Sequence, residues 1–203
     1  MSSVAAAVAA LRAGKPVVLA FDTVYGIAAL AETDAPTRRL YELKGRVPAQ
    51  PSALVSASVA QLVAAVPELR GKTESLLHDL LPGPYTLIVA NPARRFRWLT
   101  GDKPDTVGVR VPQLPATTHE VIATVGPVVA TSANHPGERD PSTLDDVPSA
   151  IRAGAGAAID GGRLPGTPST VVDLTGAEPV LVRRGAASPD ELLRRLGAAV
   201  RSG

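Results

Sequence analysis

The chain has 203 residues, 45% apolar and 20% charged, which describes one soluble globular domain over residues 1–203, large enough to bury a substantial core. Twenty-one Lys and Arg against 19 Asp and Glu leave a net charge of +2, too small for a generally basic nucleic-acid coat. Two Phe, three Tyr and one Trp exclude a repeated base-stacking platform, and the absence of cysteine excludes disulfides, thiolate zinc sites and cysteine nucleophiles.

In chain order, Ser2 or Ser3 caps a first helix whose Val4, Val8 and Leu11 share one face, with Gly14 as its stop. No basic run precedes this short apolar stretch, and no apolar run approaches the ~20 residues of a membrane span. A cytoplasmic protein with no membrane association is expected. Strands are expected at 16–21, 53–56, 85–90, 107–111, 127–131, 157–160, 169–174 and 180–183. Helices are expected at 36–43, 59–66, 74–81, 117–125 and 189–200. The last has Ser188 as cap, Pro189 at the first position and Glu191 at the third, while Gly197 weakens its final turn. Several strands are continuous apolar runs, as in sheets covered on both faces, and their alternation with helices gives an α/β fold.

Two longer loops, 91–106 and 134–145, interrupt this alternation. The first carries Arg94, Arg95, Arg97 and Trp98, readable either as a solvated hairpin or as a contact for RNA or phosphate. His78, His119 and His135 have no metal-ligand spacing, and no G-x-S-x-G elbow surrounds a serine. Gly71-Lys72-Thr73 imitates the end of a P-loop, but Val66 stands where its first glycine belongs and a helix precedes it.

What remains is a series of small-residue clusters at element ends: Asp22–Gly26, Lys44–Arg46, Pro82–Thr86, Gly108–Pro112, Thr131–Asn134, Ser169–Asp173 and Arg183–Ala186. Carboxyl ends of strands form the usual ligand crevice of an α/β sheet. Arg46, Arg110 and Arg183 offer planar forks for carboxylates or phosphates, and Lys44 offers a mobile point charge. Taken singly, Lys44 and Arg46 also fit cations that complement a helix C-terminus, and Ser132 and Asn134 fit turn residues.

Taken in order, the clusters resemble the YrdC-like family. The K-x-R of Lys44 and Arg46 and the S-x-N of Ser132 and Asn134 are its most specific elements. T-V-Y-G at Thr23–Gly26, P-G-P-x-T at Pro82–Thr86 and S-T-V-V-D at Ser169–Asp173 accompany them. The family usually has proline-threonine where Ala20-Phe21 stand, a Pro-Leu pair where Pro51-Ser52 stand, and histidine where Leu114 stands. The resemblance implies a single-domain fold, a twisted mixed or parallel sheet flanked by helices with a concave ligand cleft. It also implies an L-threonylcarbamoyladenylate synthase that joins L-threonine, bicarbonate and ATP into threonylcarbamoyl-AMP and pyrophosphate.

On that resemblance Lys44 and Arg46 are the catalytic pair on the phosphates and the carbamate. Ser132, Asn134 and Arg183 complete the ATP site, and Thr23, Arg110 and Ser169 hold threonine. Tyr25 and the Pro82–Thr86 loop shape the walls. Mg2+ is expected with ATP, with no carboxylate cage to hold it. The implied partners are tRNA or double-stranded RNA and the downstream tRNA threonylcarbamoyltransferase proteins. A different class stays open, a non-catalytic double-stranded RNA or tRNA-binding module in RNA or ribosome maturation, supported by a sequence pI ≈ 9.2 and the Arg94–Trp98 cluster.

Overall fold

Apolar runs become strands and amphipathic runs become helices in a computed structural model that describes residues 2–197 and 201–202. The chain opens with α1 (Val4–Arg12), β1 (Val17–Ala20), β2 (Tyr25–Leu30), α2 (Asp34–Lys44), β3 (Ala53–Val55) and α3 (Val59–Ala65). It continues through α4 (Lys72–Leu80), β4 (Tyr85–Ala90), β5 (Thr106–Arg110), α5 (Ala116–Val125), β6 (Val128–Ser132) and α6 (Ser149–Gly154). It closes with β7 (Ala157–Ala158), β8 (Thr170–Asp173), β9 (Val180–Arg183), α7 (Pro189–Arg195) and β10 (Arg201–Ser202). The strands form one mixed sheet in the order β10-β9-β8-β4-β5-β3-β6-β2-β1-β7.

Side chains alternate across a strand, so each strand divides its residues between two layers. One face, carrying Val18, Ile27, Leu54, Leu87, Val109 and Val129, is fully packed. It is covered by α2, α3, α4, α6 and α7 through residues such as Leu40, Leu62, Leu77, Ile151 and Leu192. The opposite face is divided. Over β1, β2 and β6 it carries Val17, Leu19, Ala28 and Val128, sealed by Ala7 and Leu11 of α1 and Val121 and Ile122 of α5. Over β4 and β5 the alternation reads buried–intermediate and intermediate–buried, so this half of the face stays open.

β2 is a strand that the sequence pattern did not suggest. Tyr-Gly-Ile-Ala-Ala-Leu carries a glycine and two alanines, residues of low strand propensity, yet it pairs antiparallel with both β1 and β6. Gly26 is required there by packing: a Cβ would collide with the Phe21 ring folded across it. α6 was likewise unexpected, being only six residues long. The final helix ends at Arg195 rather than continuing, with Gly197 in the left-handed region at φ 63°; residues 198–200 of the expected helix lie outside the described residues.

Candidate functional site

The open half of the sheet face is the floor of a cavity of about 410 Å³. Its central rung is built of small residues, Gly108 of β5, Ala53 of β3 and Ala130 of β6, which pair side by side. Small side chains keep the floor low. Counting two residues along each strand from this rung places Thr106 and Ser132 at one end and Arg110 and Thr86 at the other. Four residues of strand separate Thr106 from Arg110, roughly 13 Å. Cations stand at both ends: Arg46 and Lys103 at the first, Arg110 and Arg183 at the second.

At the first end, α2 terminates so that Lys44 turns inward and Arg46 reaches the cavity. The Arg46 guanidinium donates to the Pro51 carbonyl at 2.6 Å and to Thr131 Oγ1 at 3.4 Å. Its buried Nε has no partner. Lys44 is only 4% exposed and does not line the cavity. Its ammonium donates to the Ser132 carbonyl at 2.5 Å, the Asn134 carbonyl at 2.8 Å and Asn134 Oδ1 at 3.0 Å. Burial first, then the nearby Arg46 charge, pull the Lys44 ammonium down to about 8. The Ser132 hydroxyl donates to Asn134 Oδ1 at 2.6 Å and remains on the cavity wall. Lys44 and Asn134 thus form a buried hydrogen-bonded support directly behind Ser132.

At the second end, Arg110 Nη2 donates to Asp22 Oδ1 at 2.8 Å in a nearly solvent-free ion pair, with Thr23 Oγ1 at 3.5 Å. Burial pushes the Asp22 carboxyl above its ordinary value, and the Arg110 charge opposes this without reversing it. Arg110 Nε is buried and unpartnered. Arg183 Nη2 donates to the Ser169 carbonyl at 2.8 Å and Oγ at 3.2 Å, and Ser169 and Thr86 share a hydroxyl hydrogen bond at 2.8 Å. A wall of hydroxyls and guanidinium edges results, suited to a carboxylate or phosphate oxygen.

Six of the eight expected residues, Thr23, Arg46, Arg110, Ser132, Ser169 and Arg183, thus line one cavity; Lys44 and Asn134 stand behind it. Tyr25, expected in a wall, is fully buried, and its hydroxyl is tied to Asp160 and the Gly162 carbonyl. Lys103, Thr106 and Asp140 also line the cavity and were not expected. Asp102-Lys103-Pro104-Asp105 directly precedes the β5 strand, and that position at a strand start is the signal the sequence carries for Lys103. Among the described residues no three His, Asp or Glu side chains converge on a metal position.

The Arg94–Trp98 loop carries the exposed ion pairs that the solvated-hairpin reading implies. Arg94 pairs with Asp105 at 2.7 Å, Arg95 grips Glu68 through both oxygens, and the Trp98 indole donates inward to the Ala31 carbonyl. A larger groove of about 580 Å³ beside Lys15, Arg39 and Gly154 carries none of the motif residues.

Comparison with known proteins identifies the same fold. The Sua5/YciO/YrdC family profile, described as telomere recombination, matches residues 9–185. A threonylcarbamoyl-AMP synthase of Pyrococcus abyssi is 34% identical over 188 residues, 92% of this chain and 55% of the relative. One of Chromohalobacter salexigens is 33% identical over 177 residues, 86% of this chain and 94% of the relative. The crystal structure of P. abyssi Sua5 complexed with L-threonine superposes with a TM-score of 0.88 at 32% identity, covering 98% of this chain and 58% of that one. The chain thus spans little more than half the length of the Pyrococcus proteins.

Proposed function

The chain belongs to the Sua5/YciO/YrdC family, and we propose that it is a threonylcarbamoyl-AMP synthase, using L-threonine, bicarbonate and ATP. The observation that carries this reading is the single cavity with a cationic, hydroxyl-rich patch at each end of a low floor, which matches two anionic substrates meeting head to head. Arg110, Thr23 and Ser169 take the threonine carboxylate and hydroxyl. Arg46 and Ser132 take the nucleotide phosphates, and Arg183, tied to Ser169 at the Arg110 end, joins the threonine patch instead of the nucleotide. Lys44 and Asn134 act through Ser132.

The threonine amine condenses with bicarbonate, releasing water and leaving a carbamate. A carbamate oxygen attacks the α-phosphorus, the bond from that phosphorus to the bridging oxygen breaks, and pyrophosphate leaves. No covalent enzyme intermediate is needed. The chain's residues align a fragile carbamate and offset the negative charge that grows on the phosphoryl oxygens. Arg46 serves that second task.

ATP brings a divalent cation into this scheme. Asp140 is the carboxylate lining the cavity among the described residues, and such a sparse donor set suits Mg2+ bound mainly by phosphates and water. The cation would offset phosphate charge. The product would serve the modification of tRNA through downstream transferase proteins in the cytoplasm. No helix among the described residues is long and apolar enough to cross a membrane.

The test is pyrophosphate release from ATP by the purified protein. Release is expected to require both L-threonine and bicarbonate, with L-serine supporting much less. Release independent of threonine, or none where a Pyrococcus-type synthase turns over, contradicts the assignment.

A further inference from the structure

We propose that Lys103, a residue outside the family motifs, binds the polyphosphate tail of ATP and then the departing pyrophosphate; this deepens the synthase reading and rests on it. The other three cations of the cavity are already engaged. Arg46 donates to the Pro51 carbonyl, Arg110 to Asp22, and Arg183 to Ser169. Lys103 is exposed, lines the cavity, and its ammonium has no hydrogen bond or ion pair among the described residues.

Its position is built. The segment carrying Lys103 is clamped onto the one that receives Arg46: Ser52 N donates to the Leu99 carbonyl at 2.8 Å and Asp102 N to the Ala49 carbonyl at 3.3 Å. Gly101 makes the clamp possible, at φ 58° and with the Ala49 carbonyl so close that a Cβ would collide with it. Thr106 then donates its amide to the Lys103 carbonyl at 3.1 Å, which fixes the turn at the start of β5. The result is a flexible ammonium arm beside Arg46, at the cavity end opposite the Arg110 pair.

The chemistry follows from the type of cation. A planar guanidinium held by backbone carbonyls suits a stationary group, whereas an exposed ammonium with three rotatable donors can follow a leaving group as it moves. The carboxylate of threonine is best served ~13 Å away, at the Arg110 end. The polyphosphate, with several charges, is the anion that needs a second cation next to Arg46.

Calorimetric titration of the whole protein with ATP, inorganic pyrophosphate, AMP and L-threonine separates the outcomes. Lys103→Ala and Lys103→Gln should weaken pyrophosphate and ATP about tenfold or more, as for loss of one charged hydrogen bond. AMP and threonine should stay within about twofold in both variants, and Lys103→Arg should recover most of the pyrophosphate affinity. In turnover, Lys103→Ala should raise KM for ATP more than it lowers kcat. Unchanged pyrophosphate affinity, or equal losses for AMP and pyrophosphate, overturns the role of Lys103 while leaving the synthase reading intact. A wild-type protein that binds neither ATP nor pyrophosphate overturns both.

Discussion

Over β1, β2 and β6, one face of the sheet carries Val17, Leu19, Ala28 and Val128 beneath α1 and α5. Over β4 and β5, the same face carries Thr86, Ile88, Thr106, Gly108 and Arg110 and is left as a cavity floor. Both halves hang on one hydrogen-bonded ladder, so backbone geometry is not what separates them. The difference lies in which alternate residues are large and apolar, hence which half gains by burial and which can remain wet. The closed half holds the sheet, and the open half is free to carry charge.

Substitutions that sort by half test this contrast. Leu19→Ala, in the closed half beneath α1 and α5, should lose about 2–5 kcal/mol of stability in urea denaturation, because it truncates a fully buried side chain and leaves a cavity. Ile88→Ala, on the floor and only partly buried, should cost about 1 kcal/mol or less. Equal losses would erase the distinction between the halves.

Arg46→Ala should lower turnover about 10²–10³-fold with little change in thermal midpoint, since it removes charge from the open half and nothing from the core. Lys44→Met belongs to neither half cleanly. It strands the Ser132 and Asn134 oxygens in a buried place, so it should cost about 1–3 kcal/mol and lower kcat with it. A pure activity loss without destabilisation would put Lys44 in the cavity after all.

The smallest expected effect is in pH. The folded Lys44 ammonium gives up its proton near 8 instead of its ordinary 10.5, mainly through burial. Its stabilising contribution is therefore present above the ordinary value and lost as pH falls through about 8, so stability should rise from pH 8 toward 10. Turnover should fall over the same range as the support behind Ser132 loses a donor. Parallel curves for turnover and stability would contradict that separation.

Much of this arrangement was legible in the chain. The strand-end clusters marked where ligand groups would gather, and six of the eight expected side chains meet in one cavity. The misses have physical causes. β2 hid behind Gly26 and two alanines, because its stability comes from two neighbouring strands and not from its own propensity. The inward turn of Lys44 was equally hidden, because sequence shows charge but not direction, and the four oxygens that hold it lie 88 or more residues away. Lys103 went unseen because the clamp that places it joins residues about 50 positions apart, around Ala49 and Gly101.

The most direct measurement of the central claim is a crystal structure of this protein with L-threonine and a non-hydrolysable ATP analogue. Threonine is expected with its carboxylate against Arg110, Thr23 and Ser169, and the phosphates against Arg46 and Ser132. Ligand density in the groove beside Lys15 and Arg39, or threonine and phosphates at exchanged ends of the floor, would contradict the account.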